Sequence, residues 1–137
     1  MQDNRIYPAV FYFEPEGITV TFPDLPGIVT CGDDMAEALY MAKEALELHL
    51  YGMEKDGDPI PGASILTDIP LEANERTVLV EAQMSAFRAH MANRAVKKTL
   101  TIPQWLNDMA ESKHVNFSQI LQSALKDYLG VKEPQIK

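Results

Sequence analysis

The chain of 137 residues has a single cysteine, Cys31, so an internal disulfide is excluded, as befits a reducing compartment. No apolar run approaches the roughly 18 residues that a membrane span requires. The opening Met1-Gln2-Asp3-Asn4-Arg5 lacks the apolar core of a signal peptide. Histidine is scarce, and His49, His90 and His114 lie too far apart to show metal-ligand spacing. Positive charge is also short: 12 Lys and Arg stand against 20 Asp and Glu, a net charge of −8 that, taken whole, argues against nucleic-acid binding. A hydrophobic fraction of 46% excludes wholesale disorder. The expectation is a soluble, cytoplasmic protein with one modest domain and one very small one.

The charge is unevenly spread. Residues 1–94 carry 16 acidic and 6 basic side chains, net −10. Residues 95–137 carry 4 and 6, net +2, and the two make up the −8 of the chain. A sign change of this kind separates two modules with different partners. The acidic module suits a basic protein, and the basic one can approach DNA.

Residues 7–13, Tyr-Pro-Ala-Val-Phe-Tyr-Phe, are rich in β-formers, and Glu14-Pro15-Glu16-Gly17 supplies a turn. Ile18, Val20 and Phe22 then alternate with polar neighbours, so the two runs predict a hairpin. Residues 28–31 offer a third short strand. Asp34 reads as a helix N-cap with Glu37 three residues on. Behind it Met35, Ala38, Leu39, Ala42, Ala45, Leu46 and His49 recur at helical spacing, with Gly52 as the terminator. Residues 54–75 are turn-rich and read as a surface loop. Residues 77–80 read as a fourth strand extending toward Gln83. The first half is β-β-β-α-β, an α+β sheet with one helix against it. The division expected is a domain over 1–84, a linker or short helix over 85–94, and a second domain over 95–137.

In the second domain, residues 95–102 read as a strand. Leu100 and Ile102 face one way; Lys97, Thr99 and Thr101 face the other. Pro103 opens a helix carrying Trp105, Leu106, Met109 and Ala110 on one stripe, ending near Lys113-His114. Asn116, with Gln119 three residues later, caps a second helix whose apolar face is Ile120, Leu121, Ala124, Leu125, Tyr128 and Leu129; Gly130 closes it. Strand, helix, helix is too small to bury a core alone, and a lone strand leaves both edges unpaired. Two copies resolve both problems through an antiparallel ribbon over a four-helix core. The dimer core expected is Leu100, Ile102, Trp105, Leu106, Ile120, Leu121 and Leu125.

Residues 95–130 resemble a ribbon–helix–helix domain, through Lys-Lys-Thr-Leu-Thr-Ile-Pro, the following Trp-Leu, and Asn-Phe-Ser-Gln-Ile-Leu. The resemblance implies that the ribbon enters the DNA major groove with Lys97, Thr99 and Thr101 reading base edges. It also implies phosphate contacts from Lys98 and from the second-helix N-terminus at Asn116, Phe117 and Ser118. The strand lacks the Arg often seen at a reading position in that family, which predicts low affinity per site. The N-terminal half resembles the HicB antitoxin family through Tyr7-Pro8-Ala9-Val10, Gly17-Ile18-Thr19-Val20, Phe22-Pro23-Asp24-Leu25-Pro26-Gly27 and Glu37-Ala38-Leu39. That resemblance implies a partial ribonuclease-H-like domain that binds a HicA-type toxin, a small basic mRNA-cleaving protein, with repression of the operon by the C-terminal module. It implies no catalytic residue, metal or cofactor, no membrane partner, and a homodimer or higher even-numbered oligomer. The toxin-contact residues cannot be assigned from the sequence.

Two rivals remain at this point. A transcription regulator that senses a small molecule requires an apolar pocket. A metal-dependent nuclease requires Asp24, Asp33, Asp34 or Glu37 to converge on metal ions. Against the second, Asp34 and Glu37 are already accounted for by the helix cap, and Asp24 by a Pro/Gly-bracketed turn.

Overall fold

The computed structural model describes residues 3–132, which form two compact units dividing between His90 and Met91. In the first, β1 (Asn4–Glu14) and β2 (Gly17–Thr21) make the hairpin, joined by Pro15-Glu16. β3 (Val29–Gly32) pairs with β2, and β4 (Glu75–Gln83) pairs with the other side of β1. All pairings are antiparallel, and the strand order is β3-β2-β1-β4. The fourth strand runs to Gln83 as expected and starts two residues earlier than Thr77, because β1 offers it nine residues of ladder.

One face of this sheet is sealed by α1 (Met35–Asp56). Tyr7, Ala9 and Phe11 of β1, Ile18 and Val20 of β2, and Val80 and Ala82 of β4 share that face by register. They pack with Ala38, Ala42, Leu46 and Leu50 of the helix into one core. The small residues Ala38 and Ala42 let the helix lie close. At Gly32 the approach is tightest: a Cβ there would sit 2.4 Å from the Ala38 backbone nitrogen.

The helix begins as expected, with the Asp34 carboxylate accepting from the Glu37 N–H at 2.8 Å. It does not stop at Gly52. A glycine inside a helix costs only about 1 kcal/mol relative to alanine, and the apolar stripe resumes beyond it at Met53, which packs on the core. The true terminator is Gly57, left-handed at φ 72°, whose N–H reaches the Glu54 and Met53 carbonyls. The loop expected from residue 54 therefore begins at 57, and holds one short 3-10 turn (Leu66–Asp68). Its position is set by Tyr7, whose hydroxyl donates to the Pro61 carbonyl, and by Ser64, whose N–H donates to Asp24 at 2.9 Å.

Residues 85–94 contain a helix. α2 (Met84–Ala92) begins with the fully buried Met84 and continues with the buried Arg88, so most of it belongs to the first unit. The second unit holds α3 (Gln104–Ser112) and α4 (Phe117–Leu129). Among the described residues no helix is long and apolar enough to cross a membrane.

Candidate functional site

The second unit is built almost entirely from local signals. Pro103, at φ −59° and ψ 146°, stands at the N-cap of α3, and its carbonyl accepts from the Asn107 N–H at 3.1 Å. The turn between the helices passes through His114, which takes a left-handed φ of 56°, and the Val115 N–H closes on the Ala110 carbonyl. Asn116 then caps α4, its side chain accepting from the Gln119 N–H at 3.0 Å. Gly130, at φ 69°, ends it. Each of these stops and starts has a sequence cause within four residues.

What the local signals do not supply is a core. Neither α3 nor α4 has a buried side chain. Trp105 is 63% exposed and Ile120 is 56% exposed, and Leu106, Leu121 and Leu125 are also exposed. Residues 94–103 form no strand, although their composition predicts one. The reason is the one that makes the segment informative: a strand exists through its ladder, and a single chain gives this one no partner. Lys97, Lys98, Thr99 and Thr101 lie exposed in this segment, along with the apolar Leu100 and Ile102. Phe117 and Ser118 are exposed in the first turn of α4.

In the first unit the candidate acids are not gathered. Asp24 receives both the N–H and the hydroxyl of Ser64, and Asp34 is occupied by its cap. Among the described residues no three His, Cys, Asp or Glu side chains are grouped as a metal site needs.

Charged residues to which the sequence assigns no site are instead structural, Glu47 among them although helical spacing puts it on the polar face of α1. Arg88 meets Glu54 through Nε at 3.1 Å and Nη2 at 3.0 Å, and reaches Asp3 through Nη1 at 3.3 Å. Hydrogen bonding to Glu54 holds the guanidinium above its ordinary range, against the opposing effect of burial. Glu47, also buried, accepts from the Gln83 N–H at 2.8 Å and from Lys43 at 3.1 Å, while Lys43 reaches the Glu81 carbonyl. These contacts occupy outward-facing backbone groups at one end of the edge strand β4. The available signal was spacing: Glu47 and Glu54 lie seven residues apart, on the turns that carry Leu46 and Leu50.

The fold is shared with solved proteins of toxin–antitoxin systems. A toxin–antitoxin complex from Streptococcus pneumoniae contains a chain 26% identical to this one, with a TM-score of 0.61, covering 91% of this chain and 99% of that one. The antitoxin HicB of Burkholderia pseudomallei, at 20% identity, has the same fold with a TM-score of 0.54, covering 92% and 97%. The family pattern of the HicB-like antitoxin of bacterial toxin–antitoxin systems matches residues 7–124, and the chain belongs to that family. Among its relatives, Antitoxin HicB 1 of Photorhabdus laumondii subsp. laumondii is 33% identical over 103 residues, 69% of this chain and 66% of that protein. An uncharacterised 14.9 kDa protein of Haemophilus phage HP1 is 28% identical over 101 residues, 74% of this chain and 75% of that protein. Family membership supports an antitoxin role, and antitoxins of this kind are not typical enzymes.

Proposed function

We propose that this chain neutralises a HicA-type toxin by direct binding through its acidic first unit, and represses its own operon by binding operator DNA as a dimer through its second. The first unit is read as the partial ribonuclease-H-like domain that the family resemblance implies. Residues 95–102 of two copies pair as an antiparallel ribbon over the four helices they contribute together. Leu100, Ile102, Trp105, Leu106, Ile120, Leu121 and Leu125 fill the shared core. Lys97, Thr99 and Thr101 then face base edges in the major groove, and Lys98 and the N-terminus of α4 at Asn116, Phe117 and Ser118 hold phosphates.

The observation that carries the dimer is the second unit's apolar stripe, since two amphipathic helices in which no residue is buried are only half of a core. The +2 charge of residues 95–137, within a chain of −8, favours placing DNA at this end. Against a ligand-sensing regulator, the depressions in the first unit are open and shallow, with charged rims.

The test separates the two activities. Lys97→Ala or Thr99→Ala is expected to weaken operator binding by about 1–2 kcal/mol, roughly tenfold, as loss of a base contact does. Rescue of growth from the toxin should be unchanged. Joint loss of both activities in a folded variant would overturn the two-module division.

A further inference from the structure

Resting on that reading, we infer that the toxin docks on the face of the sheet turned away from α1. The register defines this face. Ile6, Pro8, Val10 and Tyr12 of β1 stand opposite Glu81, Leu79, Thr77 and Glu75 of β4, while Thr19 and Thr21 of β2 stand opposite Cys31 and Val29 of β3.

Two features distinguish it from a merely solvated sheet face. The first is apolar content. A one-sided antiparallel sheet ordinarily alternates apolar-in with polar-out, yet here Ile6 is 51% and Leu79 55% exposed, and Val29 is exposed too. Ile6 and Leu79 are diagonal neighbours across the β1–β4 pair, so they form one patch.

The second is charge of one sign. Every charged residue at a register position of this face is a glutamate: Glu14, Glu75 and Glu81. No cation of the unit holds a register position of this face. Lys55 is on α1, Arg88 is committed to Glu54, and Arg5 occupies a register position of the α1 side. Lys43 of α1 and Arg76, also on the α1 side by register, come nearest, on the Glu81 carbonyl and on the Ala73 and Glu75 carbonyls. At one end the face dips into an open depression of about 530 Å³ lined by Tyr12, Thr19, Thr21, Glu72 and Glu75, one Glu75 carboxylate oxygen accepting from the Glu72 N–H at 2.8 Å. Hydroxyls and carboxylates are what a guanidinium or ammonium group seeks. Pro8 and Val10 at the centre of the face are buried, so the accessible apolar surface there is the Ile6–Leu79 patch. That patch beside glutamates, on a face with no cation at a register position, matches a small basic protein. The other open depression, between α1 and β4, shares Leu79 and Glu81 with the edge of this face but has Lys43 in its wall and matches one less well, so Thr21 and Cys31 are the positions that tell the two apart.

Cys31, the sole cysteine, is exposed at a register position of this face and reports on it without any substitution. Full-length wild-type chain is alkylated with N-ethylmaleimide alone and with the HicA-type toxin that co-purifies with it. Toxin binding is expected to slow modification of Cys31 at least tenfold. In parallel, Leu79→Arg and Thr21→Arg should weaken toxin binding at least a hundredfold, whereas Glu44→Lys, exposed on the outer side of α1, should change it less than threefold. Toxin that binds tightly while Cys31 reacts at its free rate, with Leu79→Arg and Thr21→Arg neutral, overturns this face and leaves the antitoxin reading intact. Failure of any HicA-type protein to bind wild-type chain removes that reading, and this surface with it.

Discussion

At Gly32 the last residue of β3 lies against the first turns of α1, and the missing side chain is what permits it. A Cβ would lie 2.4 Å from the Ala38 nitrogen and 2.7 Å from its Cα, both backbone atoms that can move only if the helix moves. Gly32→Ala is therefore expected to destabilise the first unit by about 2–3 kcal/mol through overpacking, read as a lower midpoint in urea unfolding. The second informative residue is His114, left-handed at φ 56° between α3 and α4. A β-carbon in that conformation costs about 1 kcal/mol, which glycine avoids. His114→Gly should raise the thermal midpoint of the second unit, and His114→Val should lower it. The opposite order would show that the histidine ring, not the backbone, governs this turn.

Among the elements, α2 depends on one buried ion pair. Arg88 is 8% exposed and takes both oxygens of Glu54, itself on the last turns of α1. Removing one partner leaves a buried charge without its counterion, so Arg88→Ala should cost about 3 kcal/mol and open α2 to limited proteolysis. The pH dependence has a definite sign. A cation whose folded pKa is raised stabilises fully below its unfolded pKa and loses that contribution only as pH rises through the folded value. Both lie above the working range, so the Arg88 contribution should stay constant from about pH 6 to 9. Elements of this kind also show where sequence reading succeeds and stops. The Asp34 and Asn116 caps and the β1–β2 hairpin were legible because their causes are local. The end of α1 was not, since whether Gly52 breaks a helix depends on what Met53 packs against. The role of Arg88 was invisible because its partners are 34 and 85 residues away. The proposed docking face rests on the register of β4 on β1, which sets Ile6 diagonal to Leu79 and which the sequence does not give.

For the whole molecule, the first unit has a sealed core and the second has not. On the proposed dimer, folding of the second unit is coupled to association, and its stability should rise with protein concentration while that of the first stays fixed. Leu125→Asp, placing a charge in the expected shared core, should convert a dimer to a monomer in analytical ultracentrifugation. It should also abolish operator binding while the first unit keeps its urea midpoint. The central claim, that this chain is an antitoxin with a basic protein partner, is tested most directly by affinity purification of the tagged chain from its host. Washes at low and high salt are followed by mass spectrometry. A small basic protein recovered in stoichiometric amount, bound at low salt and partly released at high salt, is the result predicted. Purification of the chain with operator DNA and no protein partner at either salt would contradict it.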